Sequence, residues 1–262
     1  MHNFDTSVPH IARVYDYWLG GKDNFAADRV MGERTLQAYP NLVFSVRANR
    51  AFLARTVRFL AAGRGIRQFL DIGTGIPTAN NTHEVAQRIA PASRIVYVDH
   101  DPVVLAHAKS LLTSTSEGAT AYLDADLRDP DTILAGAANT LDFARPVAVM
   151  LIAVMHFIGD DAEASAIMNR LMAACVPGSY VALSHAASDI DAVQMAEMIR
   201  RLNESTAEKT TLRDRAGVTR LFDGLELVEP GVIRAAKWRP DTDLEAASPA
   251  ALWGGVARKP AP

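Results

Sequence analysis

Apolar residues in this chain follow two rhythms, and the change between them falls near residue 66. Ahead of it, residues 41–62 set Phe52, Val57, Phe59 and Leu60 around Arg50, Arg55 and Arg58 at helical spacing, which predicts a long amphipathic helix. Residues 15–21 read as a shorter helix halted by Gly20-Gly21. Beyond it, short apolar runs closed by turn residues predict strands over 68–72, 94–98, 120–123, 147–154 and 180–184. The unbroken apolar run of the fourth suits a strand covered on both faces. Helical patterns over 78–89, 103–112 and 160–175 separate these strands. In the second of them Val104, Ala108 and Leu111 share a face; in the third Ala164, Ile167, Met168, Leu171 and Cys175 do. Strand and helix thus alternate five times, as in a doubly wound parallel sheet. After a further helix over 192–204, residues 225–229 and 251–257 read as two strands with little helix between them. A parallel sheet ending in such a hairpin departs from the dinucleotide-binding arrangement.

Length and composition narrow the picture. The 262 residues fit one domain, with 1–62 as a helical cap or lid and 66–262 as an α/β core. Hydrophobic residues at 49 % and charged residues at 22 % are globular proportions. A net charge of −3 and the lack of any basic run offer no field for nucleic acid or an anionic membrane. The lone Cys175 excludes an internal disulfide and a cysteine-cluster metal site, and its place on an apolar stripe predicts a buried structural thiol. The apolar run 146–158 is too short to span a bilayer, and Met1–Asp5 lacks the charged start of a signal peptide. The expected location is the cytoplasm.

The candidate chemistry gathers where strands end. The first strand runs into Asp71-Ile72-Gly73-Thr74-Gly75-Ile76-Pro77-Thr78, where glycines let backbone approach a ligand and a helix start offers free N–H groups. A dinucleotide fingerprint places a third glycine near position 78, and this chain has threonine there. Asp71, just ahead of the glycines, suits a ligand with an ammonium group. Asp99 ends the second strand, where a carboxylate accepts two ribose hydroxyls, while Asp101-Pro102 reads as a helix cap. Asp126 follows the third strand and suits an exocyclic purine amine, with Leu127 packing on the ring. By spacing alone, a nicotinamide cofactor and S-adenosylmethionine (SAM) both remain open.

The ordered series FLDIGTG, VYVDHDP, DADLRDP, AVMHFIGDD and CVPGSYVALSH resembles the motifs of class I SAM-dependent methyltransferases. The N-terminal VYDYWLGGKDNFAADR, the helix NRAFLARTVRFL and the C-terminal GGVARK extend the likeness to the actinobacterial S-adenosyl methyltransferase family over nearly the whole chain. The resemblance implies a Rossmann-like sheet of order 3-2-1-4-5-7-6 with strand 7 antiparallel. It implies that Asp71, Gly73, Thr74 and Gly75 hold the methionine end of SAM and Asp99 its ribose. His100, Asp126 and Leu127 then surround the adenine, and Ala153 with His156 faces the methyl group. Pro77 stands where the wider class usually has a third glycine.

An ordinary histidine titrates near pH 6.5, so His156 is the candidate general base, the alternative being a ring that only shapes the pocket. The cluster Tyr15–Asn24 reads as a lid that excludes water, with Tyr17 and Asn24 as pocket residues and Trp18 and Leu19 as core. Trp238 and Trp253 are expected to pack rather than bind. The expected activity is methyl transfer to a small-molecule acceptor. An NAD-dependent oxidoreductase and a non-catalytic SAM-binding protein are the alternatives.

Overall fold

The computed structural model describes residues 5–111 and 114–261. The readings made on Met1–Phe4 and Leu112, and on the Ala108 and Leu111 side chains, lie outside what it describes. Three helices come first: α1 (Ile11–Leu19), α2 (Ala26–Ala38) and α3 (Leu42–Arg58), the last running on into a π-helical turn at Phe59–Gly63. The sheet then builds by alternation of β1 (Gln68–Ile72), α4 (Thr82–Ile89), β2 (Arg94–Asp99), α5 (Pro102–Leu111), β3 (Ala119–Asp124), α6 (Pro130–Ala137), β4 (Ala148–Ile152), α7 (Asp161–Ala174) and β5 (Tyr180–Ala186). The chain closes with α8 (Ala192–Ser205), α9 (Arg215–Arg220), β6 (Glu226–Leu227), β7 (Ile233–Arg234), α10 (Asp243–Ala246) and β8 (Leu252–Arg258).

The eight-stranded sheet has the order β3-β2-β1-β4-β5-β8-β6, with the short β7 paired to β8 beside that path. Strands β1 to β5 are parallel, and β8 runs antiparallel to β5, β6 and β7. This is the expected order with one difference. Residues 233–234 form an extra strand, so the reversed strand is the eighth rather than the seventh. The stretch between the two closing strands also holds α10 and a 3₁₀ turn at Ala235–Lys237.

Alternate residues of one strand feed two cores, which is why the middle strands read as unbroken apolar runs. Ala148, Met150 and Ile152 of β4 join the layer under α3 and α8, while Val149 and Leu151 join the layer under α6 and α7. Side-chain caps set several helix starts: Asp160 accepts from Glu163 N at 2.7 Å and Asp129 from Thr132 N at 3.1 Å. Helix α4 begins at Thr82 rather than residue 78, where Asn81 and Glu84 form a reciprocal cap. Cys175 is buried, with burial pushing its thiol up to about 11, as a structural cysteine requires. Among the described residues no helix is long and apolar enough to cross a membrane.

Candidate functional site

The parallel strands all point their C-terminal ends to one edge, and a cavity of about 200 Å³ opens there, roofed by α1, α3 and α8. The turn after β1 forms one wall. Gly73 and Gly75 both hold positive φ, 72° and 62°. Gly73 N donates to Val98 O at 2.8 Å and Gly75 N to Asp99 Oδ2 at 2.9 Å, so the turn is pinned to the end of β2. The hydroxyls of Thr74 and Thr78 are buried with no partner among the described residues. Such atoms are costly unless a ligand satisfies them.

Three carboxylates converge on this wall. Asp71 is buried, accepts from the Thr82 hydroxyl at 2.6 Å, and is pushed up to about 6 by burial. Asp99 accepts two backbone N–H bonds, from Gly75 on Oδ2 and from Asp101 at 3.0 Å on Oδ1, and burial also raises its pKa. Each oxygen keeps a free lone pair. Asp101 caps α5 through Val103 N at 2.8 Å, the role expected of it, and its other oxygen lies 2.9 Å from His10 Nδ1. Facing them is Arg50 of α3, which donates to Ala79 O at 3.2 Å and lines the same cavity.

Asp126 and Leu127 lie one step aside. They line a smaller slot together with Val98, Ala125 and Ile158. Gly73, Asp99, His100, Val154, Phe157 and Glu208 line both spaces, so slot and cavity adjoin. Asp126 is tied to Arg128, whose guanidinium donates to Phe157 O at 3.0 Å. Glu208, from the loop after α8, lies 3.8 Å from His100 and 3.7 Å from Arg128 at the mouth.

The β4 tip closes the centre. Ala153 sits at φ 55°, a left-handed conformation that costs a non-glycine residue about 1–2 kcal/mol. Its N–H is held by Ser184 Oγ at 2.9 Å. Ser184 donates in turn to Asn49 at 2.5 Å, and Asn49 donates to the Tyr15 hydroxyl at 3.0 Å. A strained tip beside a cavity is therefore braced by α1, α3 and β5 together.

His156, on the 3₁₀ turn Met155–Phe157, lines the cavity as expected, but not as the expected base. Burial, then His185, then the buried Arg213 lower its pKa to about 3. Arg213 reaches His185 Nε2 at 2.9 Å and Ile158 O at 2.9 Å, and pairs with Asp161 at 2.8 Å. Burial also lowers His185, to about 4. Both rings are neutral at pH 7, which makes His156 a weak proton acceptor, and its Nδ1 is buried with no partner among the described residues. Because the folded pKa values lie below the ordinary 6.5, the stability gained from keeping these rings uncharged is lost as pH falls from about 6.5 towards 3–4. Histidine ring NMR signals, assigned with His156→Gln and His185→Gln, are expected to stay those of neutral rings from about pH 8 to 5. A midpoint near 6.5 for His156 refutes this.

Two expected pocket residues fall elsewhere. The Tyr17 ring lies against Gly32 of α2 and its hydroxyl bonds Glu33 at 3.3 Å, away from the cavity. Asn24 is one layer back, donating to Asp16 Oδ2 at 2.8 Å. The cavity takes Ile11, Ala12, Tyr15, Asp16 and Leu19 instead, one face of a helix that starts earlier than its aromatic cluster suggests. Sequence reasoning missed Arg50, Thr78, Asp16 and Glu208. Arg50 is one of four arginines in α3, with Arg47, Arg55 and Arg58, and the helical pattern alone does not single it out.

A parallel sheet closed by a reversed strand, with a glycine turn after β1 and a carboxylate at the end of β2, is the architecture of class I methyltransferases. The model of the S-adenosyl methyltransferase family matches residues 1–260, and the chain belongs to that family. It is similar to a DUF574 family protein from Streptomyces avermitilis, 45% identical, covering 98% of this chain and 99% of that one at a TM-score of 0.94. It is also similar to a presumed methyltransferase from Thermobifida fusca, 41% identical over 98% of this chain and 97% of that one, TM-score 0.90. The SAM-dependent methyltransferase SibL shares the fold at 14% identity, over 94% of this chain and 62% of that one, TM-score 0.53. No curated protein matches the sequence. The protein is a SAM-dependent methyltransferase, which sets aside the nicotinamide and non-catalytic alternatives.

Proposed function

We propose that the enzyme methylates a small-molecule acceptor, with the cofactor seated across the ends of β1 and β2 and the acceptor beyond the β4 tip. The donor set fits the cofactor: a buried carboxylate with no ion pair among the described residues, two hydroxyls without a partner among them, and a carboxylate edge with lone pairs to spare. Asp71 takes the ammonium group and Arg50 the carboxylate of the methionine end. The glycine turn and the Thr74 and Thr78 hydroxyls line its path. Asp99 accepts both ribose hydroxyls, and Asp126, Leu127 and His100 surround the adenine in the adjoining slot. Bound there, SAM supplies an electrophilic methyl group on a sulfonium. Ala153 and His156 shape the space that the methyl group enters, and α1 and α3 exclude water and fix alignment. His156, being neutral, hydrogen-bonds the acceptor, and the proton displaced by the methyl group passes to bulk water as the product leaves the site.

The observation that carries this reading is Asp99, whose two oxygens are each fixed by one backbone N–H and each left with one lone pair. Asp99→Ala is expected to weaken SAM binding by about 1.5–3 kcal/mol, roughly 10- to 150-fold, because a charged acceptor loses both hydroxyl partners. Calorimetry with SAM measures it, and thermal melting establishes that the variant is folded. An affinity within about twofold of wild type in a folded variant sinks the assignment.

A further inference from the structure

The cavity is chemically divided. Every carboxylate that lines it comes from α1, the ends of β1 and β2, or the loop after α8: Asp16, Asp71, Asp99, Asp101 and Glu208. On the far side α8 presents Met195, Met198, Ile199 and Leu202, a spacing that puts all four on one helix face. Opposite stand Leu42, Val46 and Leu53 of α3, and the sheet beneath adds Ile152, Ala186 and Leu252. No residue that α8, β4, β5 or β8 contributes to the lining is charged. Two polar side chains that α3 places here are already engaged: Ser45 accepts from Ala251 N at 3.0 Å, and Asn49 bridges Ser184 and Tyr15.

Resting on the reading of the β1–β2 side as the cofactor's seat, we propose that the acceptor is an uncharged compound with an aromatic or polycyclic body, held in this apolar chamber. A charged acceptor loses its water against methionine and leucine with no counter-ion to replace it, whereas an apolar body gains from the same burial. Met195 and Met198 add flexible, polarisable walls that pack against ring edges. The unpartnered Nδ1 of His156 and its neutral ring match an acceptor with one polar group and a bare remainder.

The test uses the full chain saturated with S-adenosylhomocysteine and three probes measured by calorimetry: 2-naphthol, spermidine and O-phosphoserine. The expected result is that 2-naphthol binds at least about tenfold more tightly than either charged probe. Ile199→Arg is expected to weaken 2-naphthol at least about tenfold while leaving S-adenosylhomocysteine affinity within about twofold. Met198→Trp, which fills the chamber without adding charge, should do the same and serves if the arginine variant does not fold. Tighter binding of a charged probe, no binding of 2-naphthol to its solubility limit, or binding indifferent to both variants overturns the proposal. Failure of the wild type to bind S-adenosylhomocysteine overturns the cofactor seat instead, so the two failures are distinct.

Discussion

Gly73→Val is expected to damage the fold as well as the cofactor site, lowering stability by about 2–5 kcal/mol. Two costs add. The backbone there has φ 72°, which a β-branched residue adopts at about 1–2 kcal/mol. A Cβ on Gly73 also lies 2.3 Å from Val154 Cγ2 and 2.7 Å from its Cβ, a collision with a packed core residue worth about 1–3 kcal/mol. Val154 leads into the turn that carries His156, so relief of the clash displaces the β4 tip. Gly75 is the contrast. It shares the positive φ, but a Cβ there meets nothing within 4 Å, so Gly75→Ala carries the backbone cost alone and adds a methyl to the open turn. At about 2–4 °C per kcal/mol for a chain of this size, melting without ligand should fall roughly 5 °C or more for Gly73→Val and clearly less for Gly75→Ala. Both should lose the stabilisation that SAM binding is expected to give the wild type. A Gly73→Val protein that melts like wild type without ligand refutes the packing argument.

That contrast shows what a sequence does and does not carry. Glycine at both positions read as room for a ligand, and at Gly73 the room is taken by Val154, a residue distant in sequence just past the end of β4. The alternation of β1 to β5 was legible because doubly covered strands are unbroken apolar runs, and the Asp101-Pro102 cap of α5 is local. Helix α2 was not, since it holds a mid-helix Gly32 and exposes Val30. Tertiary bonds hold it, such as that of Trp18 Nε1 to Gly32 O at 3.3 Å. Helices α6 and α9 are too short to show a period. Asp71 and Asp99 could be placed because strand ends fix their position. Arg50 and Asp16 could not, because which face of a helix meets the sheet depends on packing. The same holds for His156: its titration is set first by burial and then by His185 and Arg213, none of which a local pattern links to it.

Deleting residues 1–25 is expected to abolish cooperative folding, although the cluster Tyr15–Asn24 reads as a lid. One face of α1 does roof the cavity, through Tyr15, Asp16 and Leu19. Its other face is core. Val14 is fully buried, and Trp18 is buried with its Nε1 bonded to Gly32 O and to Thr35 Oγ1 at 3.2 Å. Arg13 pairs with Asp28 at 2.9 Å, both almost wholly buried, and Asp28 also accepts from His10 N and Phe25 N. Removing the segment strips a tryptophan worth about 3–5 kcal/mol of packing and leaves Asp28 without its cation, a loss of about 3–5 kcal/mol if the site stays closed. Together these approach the whole stability of an ordinary domain, about 5–15 kcal/mol. The α1 roof is therefore tested better by Asp16→Asn, which removes the charge above the cavity while leaving one oxygen to accept from Asp23 N and Asn24 Nδ2. Circular dichroism and thermal melting decide the matter: a truncated protein that melts cooperatively within about 5 °C of the full chain shows that α1 is detachable, and that its buried face contributes little.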